Sequence, residues 1–248
     1  MATNKFYKVE DIKNPFVVEW NPDVPQTFKK ILHGIDISGY QETELFDWEL
    51  LKESIDFLYI KATEGVHWSS PGAEDKAKLA SEFGIPYSHY HFATPGVGGE
   101  PRIDAVNECD SFLEWLAKNP GHTLPVMLDF EKNKEGLPKE KLGEWVSVFM
   151  EYFFSQQGYA PIFYSYYSFI KNNFTQEDII WLSKYPLWLA YYVKDPENPG
   201  KNPPKMPPGF NEWLIWQYSS RKIVPGFPKP LDANFAKSSL LRTQRCGN

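Results

Sequence analysis

The 248-residue sequence has little cysteine, no excess of positive charge and no long apolar run, and each shortage removes a class of protein. Two cysteines, Cys109 inside a helical pattern and Cys246 near the C-terminus, allow at most one disulfide and match no metal or redox spacing. A disulfide-stapled scaffold is thereby excluded, and two free thiols are expected. Basic residues number 26 against 32 acidic ones, net −6 with histidine neutral, so the attraction on which nucleic-acid binding depends is missing. No run approaches the roughly 18 apolar residues of a membrane helix, and no membrane insertion is expected. Met1 to Glu10 has no basic stretch followed by an apolar one, so no secretory signal peptide is expected. The segment HGIDISGYQ lacks both glycine-rich phosphate-binding spacings, and no G-x-S-x-G elbow occurs anywhere. No cofactor and no metal are therefore expected.

What is abundant is aromatic surface. Nine Trp, 14 Tyr and 18 Phe make 17% of the chain, more ring area than a core of this size commonly uses. A ligand with flat apolar faces, such as a sugar, would use the surplus. The length admits one α/β barrel or two small domains.

Strand-length apolar runs alternate with amphipathic stretches, the pattern of parallel strands joined by crossover helices. Strands are predicted at His33–Ser38, Phe57–Thr63, Pro86–Phe92, Leu124–Glu131, Pro161–Ser165, Leu187–Tyr192 and Leu214–Ser219, with a weak eighth ending near Asp232. Helices are predicted at Glu42–Ser54, Gly72–Phe83, Ile103–Lys118 and Lys139–Gln157, with Trp115 and Trp145 on inner faces. The later crossovers are shorter and less helical. The fold class is thus α/β: a single-domain, irregular TIM-like barrel over residues 33–248, incomplete in its final helices. Residues 1–32 form an N-terminal extension outside this pattern. Residues 195–211, dense in proline and glycine, read as a surface loop insertion at the rim.

In such a barrel, chemistry is built at the carboxyl ends of the strands. Asp36, Asp129, Glu131 and Asp232 all fall near predicted strand ends. Asp129 and Glu131 are two apart, so both leave one face while Phe130 leaves the other. Carboxyls forced together raise one another's pKa, which keeps an acid protonated near neutral pH, as glycoside hydrolysis requires. A lone acid at a strand end more often caps a helix or a turn, but four acids on separated strands make that reading poor for the set. Lys61 and Glu64 read either as an ion pair or as substrate contacts. His89 and His91, also two apart, lack a third metal ligand and read as packed or substrate-lining residues.

These residues sit in an ordered series of motifs: D-I-S-G-Y-Q (36–41), K-A-T-E-G (61–65), Y-H-F-A (90–93), L-D-F-E (128–131), P-I-F-Y-S (161–165), L-W-L-A-Y-Y (187–192), W-Q-Y (216–218) and L-D-A-N (231–234). The series, spanning Gly34 to Phe235, resembles that of the glycoside hydrolase family 25 lysozymes. The resemblance implies an irregular (β/α)5 barrel followed by three β-strands. It also implies N-acetylmuramidase activity on the β-1,4 bond between N-acetylmuramic acid and N-acetylglucosamine of peptidoglycan. By the same resemblance, Glu131 matches the proton donor, Asp129 its partner, and Asp36 and Asp232 the remaining cleft acids. Either an aspartate or the substrate's own acetamido group would then attack the anomeric carbon, and both routes retain configuration. The resemblance further implies an aromatic wall drawn from Tyr90, Tyr164, Tyr192, Trp188 and Trp216, with Gln217 and Glu64 as further substrate contacts. Two departures are visible, Glu42 where glycine is common and Phe235 directly after Asn234, and neither removes a carboxylate.

The alternatives are another substrate-assisted barrel glycosidase such as a chitinase, and a non-catalytic glycan-binding virion protein. The first lacks its run of alternating aspartates, since LPVMLDFE offers only one pair. The second has no need of a protonated acid beside a carboxylate. The expected setting is a monomeric phage endolysin or virion-associated lysin acting on the bacterial cell wall.

Overall fold

The structure, a computed structural model, describes residues 31–97, 99–193 and 202–242. The bulk of the expected extension, Cys246 and the first part of the proline-rich segment lie outside the described residues. Strands β1 (Ile31–Ile37), β2 (Phe57–Glu64), β4 (Tyr87–Phe92), β5 (Met127–Asp129), β6 (Ile162–Tyr166), β7 (Leu187–Ala190), β8 (Ile215–Lys222) and β9 (Leu231–Lys237) close on themselves through the pairing of β1 with both β2 and β9. The first seven of these run parallel, whereas β9 is antiparallel to β8 and to β1. A two-residue strand, β3 (Trp68–Ser69), folds back on the end of β2 as a hairpin. The last strand is thus longer than its weak sequence signal predicted, and it begins rather than ends near Asp232.

Helices α1 (Trp48–Lys52), α2 (Ala73–Glu82), α3 (Pro101–Lys118) and α4 (Lys139–Gln157) follow β1, β2, β4 and β5. Two short helices, α5 (Tyr167–Asn173) and α6 (Gln176–Leu182), share the crossover from β6 to β7, so five β/α units precede three strands. Local chemistry sets the helix ends. Pro101 occupies the first turn of α3, Gly158 closes α4 at φ 75°, and Thr175 and Asp178 form a reciprocal capping box on α6. No described helix is long and apolar enough to cross a membrane.

Strand residues are buried on both faces, as β2 shows over seven consecutive positions. Inward-facing Leu32, Phe57, Tyr59, Tyr90, Met127, Ile162, Tyr164, Trp188 and Ile215 fill the barrel. Outward-facing Ile35, Leu58, Ile60, Leu128, Phe130, Phe163 and Leu189 pack under the helices, where Trp145 is fully buried and its indole donates to Asp104 at 2.8 Å. Among the described residues, no α-helix follows β7 or β8. There Trp216, Tyr218 and Phe235 form their own cluster, the last two stacked at 4.1 Å, and supply the apolar cover themselves. In the proline-rich segment, the described residues 202–211 have no regular structure, yet Pro204, Pro207 and Phe210 are buried, which fastens that end of the segment to the body.

Gly34 is the inward residue where β1 passes the fully buried Phe57, and a Cβ there would run into the Phe57 ring. Overpacking of a rigid core site costs about 1–3 kcal/mol. Gly34→Ala should therefore lower the denaturant midpoint by an amount equivalent to about 2 kcal/mol with an unchanged m-value.

Candidate active site

The four acids meet at one end of the barrel. Asp36 lies one residue before the end of β1, and Asp129 ends β5. Asp232 is the second residue of β9, and because β9 runs backwards it arrives at that same end, directly across from Asp36 in the ladder. Beyond β5 the backbone stays extended. Ala93 N–H donates to the Asp129 carbonyl at 2.9 Å, Phe130 N–H to the Tyr164 carbonyl at 3.0 Å, and the Ser165 hydroxyl to the Phe130 carbonyl at 2.8 Å. Phe130 is thereby driven outward against Trp145, Phe169 and Phe174, and Asp129 and Glu131 both turn toward the cleft.

Asp36 is held by two side-chain amides. Gln217 Nε2 donates to its Oδ2 and Oδ1 at 3.0 and 3.2 Å, and Asn234 Nδ2 to Oδ2 at 2.7 Å. Each amide is fixed in turn. Gln217 Oε1 accepts from the hydroxyls of Tyr164 at 3.0 Å and Tyr192 at 2.9 Å, and Asn234 Oδ1 accepts from the Trp188 indole at 3.0 Å. Burial raises the Asp36 pKa, and these donors pull it back. Asp129 has no comparable support: its Oδ1 is buried without a partner. Burial, then the charge of Glu131, pushes its carboxyl well above the usual range, with Lys61 opposing. Glu131 is also raised by burial and by Asp36, against the pull of Lys132 and Lys61. Asp232 is pushed up to about 8 by burial, then by Asp36 and Glu131. Burial thus shifts all four carboxyls upward, and Asp36 is the one braced by two side-chain amides.

The other residues singled out by their motifs divide. Tyr90 is buried at the cleft floor, where all four carboxyls act on its phenol. Tyr164 is nearly buried and Tyr192 is 56% exposed, both joined to Gln217. Trp188 and Trp216, expected from their motifs to line the cleft, have no exposed surface. Trp188 fills the barrel beneath Asn234, and Trp216 faces outward, where its indole donates to the Tyr191 carbonyl at 2.7 Å. Glu64 takes the ion-pair role, 2.6 Å from Lys61 Nζ, although its side chain remains 30% exposed. His89 and His91 are packed outside the barrel. His91 bridges Thr63 and Glu108 at 2.8 Å each, and His89 lies against Trp115, its pKa pushed down to about 3 by burial.

Asn234, within the motif that supplied Asp232, and Lys132 were given no role from the sequence, and Lys61 was read there only together with Glu64. Lys61 lies 4.3 Å from the Phe92 ring and 5.0 Å from Trp68, and Lys132 lies 4.9 Å from the other cation's partner ring, Phe92. The two lysines set the only positive charge that acts on Asp129 and Glu131 among the described residues.

The sequence model of glycosyl hydrolases family 25 matches residues 35–227, which contain Asp36, Asp129, Glu131 and Gln217. The chain belongs to that family. It is therefore a glycoside hydrolase, and the chitinase alternative is not favoured. It is 28% identical over 227 residues to lysozyme M1 of Streptomyces globisporus, covering 88% of this chain and 71% of that one. It is 30% identical over 191 residues to the lysozyme of Streptococcus phage Cp-9, covering 75% of this chain and 50% of the phage protein. The crystal structure of a bacterial lysozyme from Streptomyces coelicolor superposes with a TM-score of 0.71 at 26% identity, over 86% of this chain and 97% of the other. The irregular barrel is the shared fold.

The raised pKa of Asp232 has a consequence for stability. A carboxyl whose pKa rises from 3.8 to about 8 on folding binds more protons in the folded state, so stability falls as pH rises through that window. Asp232→Asn removes this loss. Its melting temperature should match the parent near pH 4 and exceed it at pH 8, as followed by circular dichroism across the range.

Proposed function

We propose that this family 25 hydrolase is an N-acetylmuramidase. It cleaves the β-1,4 bond between N-acetylmuramic acid and N-acetylglucosamine in peptidoglycan with retention of configuration. The observation that carries the reading is the Asp129–Phe130–Glu131 strand end, whose two carboxyls share a cleft with Asp36 and Asp232. Glu131, raised by burial, gives its proton to the leaving O4 as the glycosidic bond breaks. The substrate's acetamido oxygen attacks the anomeric carbon, and Asp129, whose buried Oδ1 has no partner among the described residues, accepts a hydrogen bond from the acetamido N–H. Water then adds to the anomeric carbon as its bond to the acetamido oxygen breaks and the acetamide is restored, and Glu131 recovers a proton from that water. Asp36, fixed by Gln217 and Asn234, places negative charge beside the oxocarbenium-like state, and Asp232 anchors sugar hydroxyls. Tyr90, Tyr164 and Tyr192 contact the sugar. The enzyme works as a monomer on the bacterial wall, in the setting of a phage endolysin or virion-associated lysin, a reading supported by its similarity to a phage lysozyme.

Glu131→Gln keeps the side chain's shape and removes its proton transfer. Lysis of purified peptidoglycan should fall by about 10²–10⁴-fold at an unchanged melting temperature. Mass analysis of the parent's products should find muramic acid at the reducing end; chitin oligomer cleavage in its place, or a fully active Glu131→Gln protein, would overturn the assignment. Tyr192→Ala removes an exposed ring and one hydroxyl donor to Gln217. Its KM should rise about tenfold with a melting temperature within a few degrees of the parent, whereas loss of stability alone would assign the ring to packing.

A further inference from the structure

A second concavity lies beside the cleft. The groove, about 630 Å³, runs down the outside of the barrel between the β2–β3 hairpin and one face of α3. Thr63, Val66, His67, Trp68 and Ser69 form one wall. Asn107, Asp110, Ser111, Glu114, Trp115 and Lys118 form the other at the three- and four-residue spacing of a single helix stripe, and Glu74 adds to the rim. The walls are tied together, because the Ser111 hydroxyl donates to the Val66 carbonyl.

The hairpin is a partition between groove and cleft. A register shift between Lys61 and Thr63 turns the two residues to opposite sides. Lys61 faces the acids, and Thr63 lines the groove and bonds His91 behind it. Trp68 belongs to both, 45% exposed, with Lys61 Nζ 5.0 Å from its ring while it also lines the groove. A ligand that fills cleft and groove together must therefore branch at the hairpin. The groove's charge fixes the nature of the branch. Glu74, Asp110 and Glu114 outnumber Lys118, and the floor residue Trp115 is 6% exposed with an indole N–H that donates to nothing among the described residues. Carboxylates, the 45%-exposed Trp68 indole and the Trp115 N–H, without a partner among the described residues, suit a peptide bearing an ammonium group and amide carbonyls.

We propose that this groove binds the peptide stem of peptidoglycan through its basic residue, while the glycan occupies the cleft. This inference rests on the muramidase reading for the glycan half of the ligand. It also gives a chain of net charge −6 an attractive contact on an anionic wall, since the stem's amino group is the polymer's positive element.

Two measurements on the full chain test it. The first compares kcat/KM on uncross-linked glycan strands with lysine-containing stems and on the same strands stripped of stems by an amidase. The parent should prefer the stemmed strands by about fivefold, and the exposed double variant E74Q/E114Q should lose that preference while cleaving stripped strands at the parental rate. The second titrates by calorimetry the probe N-acetyl-L-alanyl-D-isoglutaminyl-L-lysyl-D-alaninamide, which should bind the parent and fail to bind E74Q/E114Q. The same peptide acetylated on its lysine should fail to bind the parent. Equal use of stemmed and stripped strands by the parent, or equal binding of both peptides, would overturn the proposal. Cleavage of neither strand type would instead overturn the muramidase reading and leave the calorimetric result to decide the groove.

Discussion

Removal of carboxyls from water at the open end of a closed barrel is the constraint that the cleft is built around. Four acids converge there, and Lys61 and Lys132 are the cations that act on the central pair. Two ammonium groups do not balance four carboxylates in a partly dry site, so protons must make up part of the difference. Which acid keeps its charge is decided by hydrogen bonds. Asp36 receives three contacts from two amides, which oppose the upward push of burial on its carboxyl, whereas Asp129 Oδ1 receives none among the described residues and its carboxyl is pushed well above the usual range. The aromatic surplus enters through the same network, since Tyr164, Tyr192 and Trp188 hold the amides that hold Asp36.

The reversed final strand makes this possible. In an all-parallel barrel every residue near the start of a strand lies at the far end from the chemistry. Because β9 is antiparallel, its first residues, Asp232 and Asn234, enter at the end where the acids gather; there Asp232 lies across from Asp36 and Asn234 bonds it. That reversal accompanies a stretch of sheet with no crossover helix among the described residues, and the outward rings Trp216, Tyr218 and Phe235 cluster there.

Much of this was legible in sequence because parallel barrel strands announce themselves as apolar runs and the acids stand at their ends. The helix at Lys139–Gln157 is observed at its predicted bounds, and the two-residue spacing of Asp129 and Glu131 carried through to a shared face. The final strand read poorly because Asp232, Asn234 and Lys237 interrupt its apolar pattern; the first two lie at the acid cluster, and Lys237 at the other end pairs with Glu212. Trp216 takes the face opposite its neighbour Gln217 and so points away from the acids, and Trp188 misses the cleft for a different reason. Residues 188, 190 and 192 share a face, but depth along a barrel decides whether an inward ring meets ligand or core, and spacing carries no depth. Trp188 lies one layer below the mouth and Tyr192 stands at it.

Depth also explains why the β2 end carries two functions. A strict two-residue alternation would have put Lys61 and Thr63 on one face, both toward the acids. The irregularity between them sends Thr63 out to His91 and leaves Lys61 in, its ammonium held by Glu64 and by the Phe92 and Trp68 rings. Trp68 can hold that cation only because β3 folds back across from Glu64, and the same fold-back builds the outer groove's wall. One local departure from strand geometry thus sets the positive charge beside the Asp129–Glu131 pair and shapes the surface next to it.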